Sequence, residues 1–256
     1  MINRREAAVG GLLTILSSST ACTSHAQTAR TRHTFGCMLA DDEAEQFLST
    51  STGQQIFATG NEPVIASSGD REFDYALAQT LSRLTDTFRV LPGFAYYDDF
   101  EQPNAYASSV VRMAKADGTV LFGQRLLKKL LVLPEHPDVA VTAVCAHEFG
   151  HILQCKLNLR RIILAGQRTT KRLELHADYL AGYYAGFLKL KKPTYPAAVF
   201  ATQKYSSGDW NVDSPQHHGT PNERAAAIVR GFEVAYRERR NLSDAVRIGV
   251  NYVSTL

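Results

Sequence analysis

Residues 139–153 form the most constraining stretch of this chain: apolar and small side chains fill nearly every position, yet His147, Glu148 and His151 sit among them. A helix that is apolar on all sides belongs in a protein interior. Two imidazoles and a carboxylate carried into that interior are costly unless they find partners there. The histidines are four residues apart, so on a helix they stack on one face with Glu148 beside them. Two imidazoles so placed can bind one metal ion, which answers the cost of burial. With eight His and twelve Glu in the chain, a chance His-Glu-x-x-His match is expected about 0.01 times, too rarely to credit to coincidence.

A zinc ion held by two histidines still needs a third protein ligand, with the fourth position left to water. Glu174 and Asp178 lie four apart on a second helical stretch, with Leu173, Leu175, Ala177, Leu180 and Ala181 around them. Glu174 is the candidate third ligand, and Asp178 a candidate acceptor for the N–H of a ligand imidazole. An ordinary exposed acidic face is the competing reading. Helical geometry directs His176 elsewhere, as a packed or surface imidazole.

The rest of the chain supplies a frame for these two helices. Its 256 residues correspond to one or two domains at a prior of roughly 150 each, and a 45% hydrophobic fraction is ample for a core. Collagen, bulk disorder and a disulfide-stapled miniprotein are excluded. The net charge of +3 is spread in short pairs such as Lys128-Lys129 and Arg160-Arg161, which gives nucleic-acid binding little support. No apolar run approaches the roughly 20 residues of a membrane span.

Residues 1–26 read as a signal peptide: Arg4 and Arg5, an apolar stretch over 7–16, then small residues at Ser24 and Ala26 with cleavage after Ala26. Export to the periplasm or the extracellular space follows, through a twin-arginine or Sec route. Cys22 offers the alternative of a lipoprotein anchor. Cys37, Cys145 and Cys155 would remain, enough for one disulfide at most. Cys145 and Cys155 are ten apart on one helix, roughly 15 Å of rise, so any bridge would join Cys37 to one of them.

Residues 27–70 read as an N-terminal arm and lead-in, and 71–256 as one domain. Phe73, Ala76, Leu77, Thr80, Leu81, Leu84 and Phe88 recur at helical spacing and predict a helix over roughly 71–89. Residues 94–97, 105–111 and 119–122 are strand-like, and Asp117-Gly118 is a hairpin signal, so a small antiparallel sheet is expected. Leu126 to Leu133 follow, and Pro134 to Asp138 open a long helix to about Leu157. Further helices are expected over about 171–189, from the Thr220-Pro221-Asn222-Glu223 capping box to about Arg239, and from Ser243. The fold class is therefore α+β and mainly helical, with the small sheet or hairpin beside the helix of His147.

His147-Glu148-Phe149-Gly150-His151 followed by Glu174-x-x-x-Asp178 resembles the gluzincin zinc metallopeptidases of the HtpX, BepA and CAAX-protease type. Asn104-Ala105-Tyr106-Ala107 with Asp117-Gly118-Thr119-Val120 is similar to that family's strand and following hairpin. His218-Gly219-Thr220-Pro221 with Glu223-Arg224 resembles its downstream histidine turn, in a variant nearer to bacterial neutral zinc metallopeptidases. The resemblance spans roughly residues 72–235 and leaves out the membrane helices of HtpX and the CAAX proteases.

It implies a zincin-like metallopeptidase domain with Zn2+ on His147, His151 and Glu174, and Glu148 as general base for a metal-activated water. It nominates His218, or else His217, to stabilise the oxyanion. Asn104, Ala105, Tyr106 and Ala107 would then be a sheet edge on which an extended protein or peptide substrate lies. An ordinary core strand is the alternative there. Two other functions compete with an exported endopeptidase: a non-catalytic, zinc-stabilised binding or chaperone-like module, and a hydrolase of peptidoglycan cross-links.

Overall fold

The structure, a computed structural model, describes residues 64–100 and 103–256. Helix α1 (Arg71–Phe88) begins where the Asp70 carboxylate accepts the backbone N–H groups of Glu72 and Phe73, satisfying donors that a helix start leaves unpaired. It buries Leu77, Leu84 and Phe88, as its periodicity requires. Three strands follow, β1 (Gly93–Tyr97), β2 (Ala105–Ser108) and β3 (Thr119–Gly123), and then α2 (Gln124–Leu131). The remaining elements are α3 (Pro137–Lys156), α4 (Arg160–Ile163), α5 (Lys171–Lys191), α6 (Ala198–Tyr205), α7 (Pro221–Tyr236) and α8 (Leu242–Ser254).

The sheet corrects one expectation: it is mixed, not antiparallel. The strand order is β1-β3-β2, with β2 antiparallel to β3 (Ala105 opposite Phe122) and β1 parallel to β3 (Gly93 opposite Thr119). Asp117-Gly118 makes no tight hairpin. The Asp117 carboxylate accepts the N–H of Leu91 at 2.7 Å, the Asp117 N–H donates to the Leu91 carbonyl, and the Gly118 carbonyl accepts from Gly93. These bonds clamp the start of β3 to the start of β1, and two strands joined at their starts run parallel. Ile65 pairs with Tyr96 on the other side of β1, which leaves β2 as the sheet's edge among the described residues.

Asp99 ties the sheet to α2. Its buried carboxylate accepts from the backbone N–H of Asn104, Arg125 and Leu126, capping α2 while fixing the entry into β2. The capping box at Thr220 and Glu223 is formed at the start of α7. Helices α4 and α6 have no counterpart in the sequence expectations, because each is too short for a periodic pattern to declare itself.

At the centre lies α3, packed by α1, α2, α5, α6, β2 and β3. Of residues 139–154, all but Thr142 are buried. No helix among the described residues is long and apolar enough to cross a membrane. The signal peptide, Cys22, Cys37 and most of the 27–70 lead-in lie outside the described residues.

Candidate metal centre

Helices α3 and α5 cross closely at Gly150, where an added Cβ would sit 3.2 Å from both the Cα and the carbonyl oxygen of Ala177. That approach lets the side chains flanking Gly150 meet those flanking Ala177. The Nε2 atoms of His147 and His151 are 3.1 Å apart. Glu174 places Oε2 3.3 Å from the first and Oε1 3.4 Å from the second. All three side chains are fully buried, and this group can hold a metal ion. With one ligand atom taken from each residue, the three lie within 4.8 Å of one another, wider than the roughly 3.3 Å between ligands of a tetrahedral ion, so binding would draw them together.

The protons are assigned by the partners on the far side of each ring. The amide nitrogen of Gln154 donates to the Leu173 carbonyl at 2.9 Å, so its oxygen is the atom 2.8 Å from His151 Nδ1. An amide oxygen only accepts, which makes His151 Nδ1 the protonated nitrogen of the neutral ring. His147 Nδ1 lies 2.7 Å from Asp178 Oδ1, and an ionised carboxylate likewise demands a donor. In its neutral form each ring has its Nε2 lone pair on the side of the Glu174 carboxylate, and a proton on either Nε2 would pair with that carboxylate instead. A cation held between these atoms, or a proton on one of the rings, offsets the convergence of acceptors.

Asp178 remains ionised because burial, which opposes its charge, is outweighed by Arg224, Lys204 and His147. Arg224 grips it with two bonds, Nε at 2.7 Å and Nη2 at 3.0 Å, and the Lys204 ammonium is 3.6 Å away. Both cations are buried. Burial and the nearby Lys204 hold the His147 pKa down at about 4, keeping that ring neutral. His151 is shifted the other way: burial opposes its charge, but Glu174 and Glu148 raise its affinity for a proton. Glu174 itself is held well below the ordinary carboxylate range, with His151 outweighing burial.

Glu148 adjoins this triangle. It is 1% exposed, its Oε2 has no hydrogen-bond partner among the described residues, and burial pushes its pKa up to about 7 against the pull of His151 and Lys204. A carboxyl group balanced near neutrality can take up or release a proton at physiological pH.

The two histidines of the downstream turn occupy different places. His217 is buried, with Nδ1 2.6 Å from Asp209 Oδ1, and it acts as a strut. The neighbouring His218 is half-buried, donates its backbone N–H to the other Asp209 oxygen, and lies close enough to Glu174 for its charge to favour the ionised carboxylate. Thr170, just before α5, ties the turn down through Pro215 and the His217 carbonyl.

Of the other residues singled out in the sequence, Asn104, Ala105, Tyr106 and Ala107 lie on or beside edge strand β2, which packs against α3. Ala105 and Ala107 are buried, while Asn104 and Tyr106 are half-buried. The Asn104 side-chain oxygen accepts from the Ala105 N–H. Three participants went unassigned in the sequence reading. Gln154 carried a signal, being a polar residue on the His151 face of an apolar helix. Arg224 was named only as part of the motif after Thr220, without a role, and Lys204 carried no signal, since only chain folding brings the two to Asp178. In comparisons with known proteins, the chain matches no family model, no curated protein and no solved structure.

Proposed function

We propose that the chain is an exported zinc-dependent endopeptidase of the gluzincin type. The observation that carries this reading is the convergence of two imidazoles and a carboxylate whose ligand atoms lie within 4.8 Å of one another, with three side-chain ligands where structural zinc sites use four. Zinc fits the donor set of two nitrogens and one oxygen. When bound there, it supplies Lewis-acid chemistry, polarising a peptide carbonyl and acidifying a water.

The residues around that site have separable tasks. Glu148 takes a proton from the attacking water and returns it to the leaving amine. Asp178, clamped by Arg224, orients His147. His218 supplies a donor toward the oxyanion, and strand β2 is where the backbone of an extended protein or peptide substrate would pair.

The complete burial of the three ligand side chains favours a second reading, a zinc ion that only stabilises the fold. Glu148 distinguishes the two, because a structural site gains nothing from a buried carboxyl with an unbonded oxygen beside its ligands. The test combines metal content of the purified chain with cleavage of an unfolded protein and of purified peptidoglycan. One zinc per chain and chelator-sensitive proteolysis that disappears in Glu148→Gln, with zinc retained, are expected. Zinc bound without any proteolysis overturns the endopeptidase reading, and the absence of peptidoglycan cleavage as well leaves the structural one.

A further inference from the structure

The amide of Gln154 is held at three points: its nitrogen donates to the Leu173 carbonyl at 2.9 Å and faces His176 Nδ1 at 3.1 Å, and its oxygen is 2.8 Å from His151 Nδ1. All of these groups are buried. Rotating the amide by half a turn would set its oxygen against the Leu173 carbonyl oxygen, two acceptors facing each other, so the orientation is locked. In a free histidine side chain the Nε2–H form is the preferred neutral tautomer. The locked oxygen at Nδ1 selects the other form and frees Nε2.

We propose that Gln154 is a positioning residue that fixes His151 in the Nδ1–H tautomer, with Leu173 and His176 locking its amide, so that the ring is set to coordinate a metal before any metal arrives. Toward the ion this rests on the metal-centre reading; the tautomer itself does not. His147 is oriented by a carboxylate and His151 by a neutral amide. The amide sets a ring's direction without adding a fourth negative charge to a site that already holds Glu148, Glu174 and Asp178. Partners in this position change metal affinity by roughly 10–100-fold when removed.

Two variants and two readouts test this. Long-range proton–nitrogen NMR of the metal-free chain, at a pH where His151 is neutral, should show the proton on Nδ1 in the wild type and on Nε2 in Gln154→Leu. Zinc affinity by chelator competition should fall roughly 10–100-fold in Gln154→Leu and return to within a few-fold in Gln154→Glu. The Glu variant restores an acceptor but loses the bonds to Leu173 and His176, so both variants lose thermal stability. A role in packing alone would lower zinc affinity equally in the two. An Nε2–H tautomer in the wild type overturns the proposal, as does an equal loss of affinity in both variants. A wild type that binds no zinc yet keeps the Nδ1 proton, lost in Gln154→Leu, defeats the metal reading and leaves the tautomer assignment standing.

Discussion

The two halves of α5 use one helical backbone for opposite purposes. Its first turns bury charge: Glu174 and Asp178 meet His147, His151, Arg224 and Lys204 in the interior. Its last turns bury backbone against backbone, because Gly182 and Gly186 press on α7. A Cβ on Gly182 would overlap the Ile228 carbonyl oxygen, and one on Gly231 of α7 would overlap the Tyr179 carbonyl oxygen. The apolar half specifies how deeply α7 sits, and the first turn of α7 delivers Arg224 to Asp178. A charged cluster can persist without water when its counter-ions are carried on elements that close packing has already placed.

Four substitutions break or sharpen this contrast. The largest effect is expected for Arg224→Met, which leaves buried Asp178 with Lys204 and the His147 imidazole but without its two-bond partner. Urea unfolding should show a loss of about 3–5 kcal/mol. Next comes the metal itself: zinc at a thousand times its Kd should stabilise the chain by about 4 kcal/mol, a gain read as a shift in Tm and absent in Glu174→Gln. In the apolar half, Gly231→Ala should cost about 1–3 kcal/mol, and by the same amount in zinc and in chelator. A loss that depends on zinc would show that the two halves are not separable.

The smallest effect is at the downstream turn. Burial opposes ionisation of Asp209, but the His218 backbone N–H and the His217 imidazole outweigh it and lower its pKa. A carboxylate lowered in the fold contributes stability that is present above its unfolded value of about 3.9 and is lost as pH falls through the folded one. Asp209→Asn should therefore cost about 1 kcal/mol at neutral pH, and the deficit should shrink below about pH 4. A deficit unchanged with pH would mean that the turn is held by packing alone.

Legibility in the sequence followed the range of the interactions. The helix expected over 71–89 is Arg71–Phe88, and the capping box at Thr220 opens α7, since spacing along the chain decides both. Parallel pairing of β1 with β3 could not be read that way. It depends on Asp117 and Gly118 meeting Leu91 and Gly93, and the local Asp-Gly signal pointed to a hairpin. That His217 rather than His218 pairs its ring with Asp209 was equally closed to sequence, because only folding brings Asp209 to this turn.

What the chain by itself determined are the pairs that helical periodicity makes neighbours, His147 with His151 and Glu174 with Asp178, together with the apolar run that forces the first pair inside. Only the folded structure decided that the two pairs face each other, which side chains meet each imidazole, and which cations offset Asp178. A four-residue spacing is a property of one helix and is set by local sterics. The meeting of Asp178 with Arg224, 46 residues further on, depends on how helices pack.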